Sequence, residues 1–153
     1  MRLVIQRVTS ASVSTEAAGC IGNISKGLCV LVGIGQEDTE DDVTWCRDRI
    51  LDIGMWPSAD NKPWKTSVRD DPNMQVLLVS QFTLYGKVYK KKKLDFHNAL
   101  APDAARALYQ SLISSVSSVI GEDRTQAGEF GAYMEVALTN DGPVTILLDS
   151  KEK

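Results

Sequence analysis

The chain has 153 residues, of which 43% are hydrophobic and 24% are charged, and its formal net charge is −3. These values exclude a disordered or collagen-like chain, and the length suits a single domain spanning residues 1–153. Because the chain is not a polycation, any contact with nucleic acid must come from a local basic patch.

The first part of the sequence predicts three strands and then a helix. Alternating apolar residues predict strands over 3–8 and 11–14, and the continuous apolar run 27–34 predicts a strand buried on both faces. Thr39 is a suitable N-cap for a helix whose first turn is acidic, and Gly54 is a suitable end for it. The apolar stripe of this helix is Val43, Cys46, Ile50 and Ile53.

The second part begins with an apolar strand over 74–82, and a lysine-rich loop follows at 86–95. Pro102 then favours the start of a second helix, and Gly121 is a good residue to end it. One face of this helix is predicted to be buried. Its apolar residues are Ala105, Leu108, Leu112, Val116 and Val119.

The C-terminal part predicts a hairpin with strands at 132–138 and 144–148. The element order is then β-β-β-α-β-α-β-β, without repeats or linkers. Hairpins at both ends of the chain favour an α/β protein of the α+β type, with a mixed, largely antiparallel curled sheet and two main helices. Two helices are few to cover both faces of a sheet, so we expect a partner subunit to complete the fold as a homodimer.

Several classes of protein and of chemistry are disfavoured. The N-terminal apolar run is too short for a signal peptide, and no stretch approaches the ~20 apolar residues that span a bilayer, so a cytoplasmic protein without a membrane partner is expected. Cys20, Cys29 and Cys46 are odd in number and lack CxxC spacing, which disfavours a disulfide framework or a zinc knot. The single histidine, His97, has no neighbouring serine or cysteine nucleophile in sequence, and no phosphate-binding glycine motif is present. A zinc site and a nucleotide cofactor bound through such a motif are therefore not expected.

Polar side chains follow the apolar strand that ends near residue 80. If the strand continued, Ser80 and Phe82 would share one face, and Gln81 and Thr83 the other. This pattern fits either a strand that ends in solvent or a ligand site at a strand terminus.

The next stretch concentrates positive charge, and Tyr85 and Tyr89 are interleaved with it. Such a loop can bind phosphates and stack on bases, or it can simply be solvated. Its lysines are Lys87, Lys90, Lys91, Lys92 and Lys93.

Residues 140–143 contain a strong turn signal followed by proline. Asn140-Asp141-Gly142 is typical of a hairpin turn, but Pro143 cannot donate a hydrogen bond where the returning strand should begin. Either Pro143 lies at a sheet edge, or a cis Gly142–Pro143 bond directs backbone carbonyl groups outward.

Five segments together resemble the D-aminoacyl-tRNA deacylase family. They are MRLVIQRV at 1–8, GLCVLVG at 27–33, SQFTL at 80–84, GEFG at 128–131 and NDGPVT at 140–145. The resemblance implies a homodimer that hydrolyses the ester between a D-amino acid and the 3′ end of tRNA, without a metal or cofactor. The lysine run at 90–93 is denser than is usual in the family.

The resemblance also implies residue roles. The Gly142–Pro143 bond would be cis and would enter the active site of the partner subunit, where its carbonyl groups exclude L-amino acids. Arg7 would hold this turn, and Phe130 and Met134 would lie near the terminal adenosine. The catalytic pocket would be formed by Ser80, Gln81, Phe82 and Thr83.

The mechanism and one rival function stay open at this stage. An oxyanion can be stabilised by backbone N–H groups at residues 80–82, and the attacking group is either water, helped by the ribose hydroxyl, or Thr83 Oγ. We expect broad acceptance of D side chains and some action on glycyl-tRNA. The alternative is a non-enzymatic nucleic-acid-binding module for tRNA or origin DNA.

Overall fold

The computed structural model describes residues 1–89 and 92–152. Its two longer helices accompany eight strands, and short 3₁₀ turns occupy Phe82–Tyr85 and Glu122–Arg124. In chain order the elements are β1 (Arg2–Thr15), β2 (Gly19–Ile24), β3 (Gly27–Gly33), α1 (Glu40–Asp52), β4 (Gln75–Ser80), β5 (Lys87–Val88), β6 (Leu94–Asp95), α2 (Pro102–Ile120), β7 (Thr125–Ala127) and β8 (Glu135–Asp149).

The long strand β1 organises the main sheet. It pairs antiparallel with β3 through its first half, with β2 through its second half, and with β8 along nearly its whole length. On the far side of β3, strands β4 and β7 add in parallel. This arrangement confirms the predicted mixed, largely antiparallel, curled sheet with two main helices.

The buried apolar residues form two clusters, one on each face of the sheet. The larger cluster joins β1, β3 and β4 to both helices, and it contains the fully buried Tyr109 and Leu112 of α2. The smaller one joins β1, β2, β3 and β4, and Met134 and Leu138 pack against it. No helix in the described ranges is both long and apolar enough to cross a membrane.

Both helices begin and end where the sequence predicts, but the buried face of α2 differs. Thr39 caps α1 and donates its N–H to Asp42 Oδ2 at 2.9 Å, and Gly121 follows α2 with a φ of 98°. Leu108 is half-buried and packs against the larger cluster, whereas Val119 is 39% exposed, so the placement of Val119 in the buried stripe was wrong. The buried residues of α2 are instead Ala105, Tyr109, Leu112, Val116 and Ile120.

The predicted C-terminal hairpin is also wrong. Strand β8 is one strand of 15 residues, and β1 pairs with both halves of it. A long partner strand therefore satisfies the residues on both sides of the turn signal, which leaves no role for a reversal of the chain. The turn residues become a bulge inside a continuous strand.

The lysine-rich loop contains a short antiparallel pairing between β5 and β6, where Lys87 faces Asp95. Lys92 and Lys93 are exposed, and Lys92 has a φ of 57°. Lys90 and Lys91 lie outside the described residues.

Candidate functional site

A cavity of about 600 Å³ lies at the carboxyl end of β4. Its wall combines the end of β4, the start of α2 and the segment that leads into β8. Five of the residues singled out in the sequence line it together. They are Ser80, Gln81, Phe82, Phe130 and Met134.

No acidic, basic, histidine or cysteine side chain lines this cavity within the described part of the chain. Its polar side chains are those of Ser80, Gln81 and Tyr133. Moreover, within residues 1–89 and 92–152 no group of three or more His, Cys, Asp or Glu residues is placed to hold a metal ion. The lining therefore offers hydroxyl, amide and backbone groups, together with apolar surface, to a ligand.

The predicted strand over 74–82 ends at Ser80, and the chain then turns into the 3₁₀ turn Phe82–Tyr85. The alternation of faces expected beyond Ser80 is therefore wrong. Gln81 donates its N–H to Val32 O at 2.8 Å, which fastens the turn to the end of β3. Gly33 lets the two segments approach, since a Cβ there would lie 2.8 Å from Leu84 Cβ.

This turn leaves two backbone donors without acceptors. The first N–H groups of a helical turn have no partner within it, and neither Phe82 nor Thr83 donates its N–H to another residue in the described ranges. Phe82 lines the cavity and is 59% exposed, whereas Thr83 is exposed and is not among the lining residues. Gln81 Nε2 donates a hydrogen bond to Thr83 Oγ1, and no carboxylate or imidazole of a described residue contacts that hydroxyl.

Tyr109 holds the end of β4 next to the cavity, and the sequence analysis did not identify it. Its side chain is fully buried, and its hydroxyl donates to Leu78 O at 2.8 Å and also lies 3.3 Å from Gly128 O. Burial raises the pKa of Tyr109, so the hydroxyl stays protonated and remains a donor. Its helical spacing could have identified it, because Tyr109 lies four residues after Ala105 and three before Leu112 and therefore shares their buried face.

Aromatic rings form much of the cavity wall. The Phe130 ring lies 5.7 Å from the Tyr109 ring, and Phe96, a second residue that the sequence analysis missed, meets Phe82 edge to face at 5.1 Å. Met134 packs on Gly128, where a Cβ would lie 2.9 Å from the Met134 sulfur. The aromatic and thioether surface suits a flat, apolar ring as a ligand.

The Gly142–Pro143 segment does not line this cavity of its own chain. Residues 141–143 have no partner on β1, since Arg7 pairs with Val144 and the next paired residue of β8 is Asn140. The Gly142–Pro143 bond is cis, as the resemblance implies, and both residues are exposed. Gly142 has a φ of +121°, a conformation that residues with side chains rarely adopt.

Arg7 fastens this bulge to the body of the protein. Its Nε donates to Asp141 O at 3.1 Å and lies 3.2 Å from Asp141 Oδ2, while Nη1 donates to Met55 O. Arg7 is itself mostly buried, with 15% of its side chain exposed. The guanidinium group thus connects the bulge to the segment after α1.

Comparison with known proteins gives one consistent result. A family model described as D-Tyr-tRNA(Tyr) deacylase matches residues 4–149. A D-aminoacyl-tRNA deacylase from Yarrowia lipolytica is 47% identical over 153 residues, covering 99% of this chain and 98% of that protein. Another D-aminoacyl-tRNA deacylase, from Schizosaccharomyces pombe, is 41% identical over 152 residues, covering 99% of this chain and 100% of that protein.

Solved structures share the fold. A protein described as a c-Myc DNA unwinding element binding protein superposes with a TM-score of 0.89 and is 40% identical, covering 97% of this chain and 98% of that one. A probable eukaryotic D-amino acid tRNA deacylase superposes with a TM-score of 0.82 over 96% of this chain and 97% of that one. At 18% identity the second likeness concerns the fold alone.

Replacing Arg7 by methionine removes the guanidinium group and keeps much of the apolar stem. Hydrogen bonds to a charged group are worth roughly 1.5–3 kcal/mol each, and the carbonyl groups of Met55 and Asp141 would lose their donor. We expect the free energy of unfolding in urea to fall by roughly 2–4 kcal/mol, and amide hydrogen exchange at residues 140–144 to accelerate.

Arg47→Met is the matched control, because Arg47 pairs with its sequence neighbour Asp48 at the surface. The Arg47→Met substitution should lower the free energy of unfolding by no more than roughly 1 kcal/mol. Equal losses in the two variants, or unchanged exchange at residues 140–144 in Arg7→Met, would contradict the anchoring role.

Proposed function

Because the chain belongs to the D-Tyr-tRNA(Tyr) deacylase family, we propose that it hydrolyses the ester between a D-amino acid and the 3′ end of tRNA. The products are free amino acid and tRNA, and the activity removes D-amino acids before they reach translation. The observation that carries this proposal is the uncharged cavity that gathers Ser80, Gln81 and Phe82 with Phe130 and Met134. The whole chain acts as one catalytic unit in this proposal, in the cytoplasm, where charged tRNA is used.

The two ends of the substrate fit two parts of the cavity. The terminal adenine is a flat ring and would lie against Phe130 and Met134. The aminoacyl group would then reach residues 80–83, where Ser80 and Gln81 contribute polar side chains to the lining. A volume of about 600 Å³ is within the usual range for pockets that enclose small ligands.

An aminoacyl ester is already activated, so this site need not supply a strong nucleophile. Water attacks the carbonyl carbon, a tetrahedral oxyanion forms, and the ester C–O bond breaks as the ribose oxygen takes up a proton. The free ribose hydroxyl beside the ester assists the proton transfer. The lack of charged groups in the cavity lining supports water over Thr83 as the nucleophile, since Thr83 has no adjacent base among the described residues.

The oxyanion is stabilised by the N–H groups of Phe82 and Thr83. This refines the expectation from sequence, because Gln81 already donates its N–H to Val32 O. Donors fixed in this way are worth roughly 2.7–4 kcal/mol each in the transition state. Tyr109 keeps the end of β4 in place through its bond to Leu78 O.

Selection of the D configuration is assigned to the carbonyl groups of Gly142 and Pro143. A carbonyl placed where an L side chain would point rejects it by contact, whereas a D substrate presents only hydrogen there. Glycine has no side chain to reject, so glycyl-tRNA should also be hydrolysed. The bulge is exposed and anchored by Arg7, but it is absent from the lining of its own cavity, which supports insertion into the cavity of a partner subunit.

A homodimer is therefore part of the proposal. Strand β8 pairs only with β1 among the described strands, and its apolar residue Leu147 is 73% exposed. Sedimentation equilibrium should give twice the mass of the 16.8 kDa chain. A monomer that retains full selectivity for D-amino acids would contradict a turn supplied by the partner.

The central test measures amino acid released from D-tyrosyl-tRNA, L-tyrosyl-tRNA and glycyl-tRNA. The protein should hydrolyse D-tyrosyl-tRNA and glycyl-tRNA and should not hydrolyse L-tyrosyl-tRNA. Thr83→Ala should lower kcat by roughly tenfold, about the effect of one positioning hydrogen bond, without abolishing the reaction. Thr44→Ala, an exposed position on α1, is the matched control.

Two outcomes would contradict these assignments. Failure of the wild-type protein to release D-tyrosine would remove the proposed activity and leave the non-enzymatic nucleic-acid-binding alternative, which the names of the curated relatives do not favour. A covalent acyl group trapped on Thr83 would identify Thr83 as the nucleophile and replace water in the mechanism.

The lysine-rich loop is proposed to bind phosphate groups of the tRNA acceptor end. The proposal covers Lys87 and Lys90 to Lys93, and the exposure of Lys87, Lys92 and Lys93 supports it. Changing these three exposed lysines to alanine should weaken tRNA binding and reduce the dependence of log K on log salt by about two to three units. An unchanged slope, matching that of the control Lys65→Ala elsewhere on the surface, would identify a merely solvated loop.

A further inference from the structure

An exposed arginine, Arg106, lies at the mouth of the cavity. It is on α2, one residue after Ala105, which lines the cavity. Its guanidinium carbon lies 4.9 Å from the centroid of the Phe130 ring. Its Nη2 is 4.0 Å from the position that a Cβ on Gly131 would take, so only the backbone of that glycine borders it.

Arg106 has no hydrogen-bond acceptor or carboxylate partner among the described residues. Two exposed carboxylates are close in the chain to this pair, since Asp103 lies three residues before Arg106 and Glu129 immediately precedes Phe130. Most other arginines of the chain are engaged: Arg2 and Arg7 bind carboxylates, and Arg124 donates to three carbonyl groups. The five N–H donors of Arg106 thus remain available while stacking on Phe130 limits the orientation of their plane.

The chemistry at this mouth fits one part of the proposed substrate. A planar guanidinium group recognises phosphate through two parallel hydrogen bonds. If adenosine lies against Phe130, Arg106, which stacks on that ring, is placed to reach the 5′ phosphate of the nucleoside. The Tyr133 ring, 90% exposed and also part of the lining, offers a face on which the preceding base can stack.

We propose that Arg106 binds the phosphate that joins the terminal adenosine to the preceding nucleotide, and so positions the 3′ end of the tRNA in the cavity. This inference rests on the proposed function. Arg106 is a positioning residue in this scheme, because it contacts the substrate far from the ester that is broken. Its effect should therefore depend on whether the substrate carries that phosphate.

The test compares Arg106→Gln with wild type on two substrates, D-tyrosyl-tRNA and 3′-O-D-tyrosyl-adenosine, which lacks the phosphate. On the tRNA, KM should rise roughly tenfold, as expected for loss of one charged contact, while kcat is unchanged. On the adenosine ester both constants should match wild type. Arg106→Lys, which keeps the charge without the planar fork, should recover part of the loss.

Arg49→Gln is the matched control. Arg49 lies on α1 and stacks on the Trp45 ring at 5.1 Å in the same manner, but Trp45, unlike Phe130, does not line the cavity. Arg49→Gln should leave KM and kcat unchanged on both substrates. Equal losses on both substrates in Arg106→Gln would show that Arg106 only orients Phe130, and no loss on either would show that it binds nothing, so either result overturns the proposal.

Binding of the trinucleotide CCA, measured by titration, separates this inference from the proposed activity. Wild type should bind CCA more tightly than Arg106→Gln by roughly tenfold, and the two should bind adenosine equally. If the wild-type protein hydrolyses neither ester, the proposed function fails, yet this affinity difference still decides the phosphate contact. Equal affinities for CCA would overturn the contact even in an active enzyme.

Discussion

The pairing of β8 with β1 is the constraint on which the rest of the structure depends. It holds the segment containing Phe130 and Met134 against the end of β4, and it carries the bulge at residues 141–143 in its middle. Because side chains alternate along a strand, a slip of one residue would turn Val136 and Leu138 to the opposite faces. The Arg7 contacts to Asp141 and Met55 keep the bulge at one place in the register.

The character of the cavity sets the kind of catalysis that this chain can perform. With no ionisable acid or base lining it apart from the phenol of Tyr133, the described protein contributes shape, apolar contact and fixed backbone donors. Such a site suits an ester that is already reactive, because two oriented N–H groups supply several kcal/mol of stabilisation when charge develops on the carbonyl oxygen. Selectivity can then come from main-chain oxygens, which reject a configuration and leave side-chain identity free.

Features set by short-range signals could be predicted from the sequence. The capped start of α1, the proline at the start of α2 and the glycine after it lie where their local chemistry places them. The buried strand β3 is apolar on both faces, as its unbroken run indicates. Features that depend on distant partners could not be predicted, such as Tyr109, whose hydroxyl reaches Leu78 31 residues away, and Phe96, which contacts Phe82 across the lysine-rich loop.

The segment 140–143 shows both what short-range sequence signals determine and what depends on contacts with distant residues. By itself the sequence determined the family, the class of fold and the candidate site residues, because caps, apolar runs and short motifs act within a few residues. Only the tertiary structure decided that these turn residues form a bulge rather than a hairpin, since β1 is long enough to pair with both flanks. It also decided that Ser80, Gln81 and Phe82 share a cavity with Phe130 and Met134, because contact between segments about fifty residues apart depends on the packing of the whole sheet.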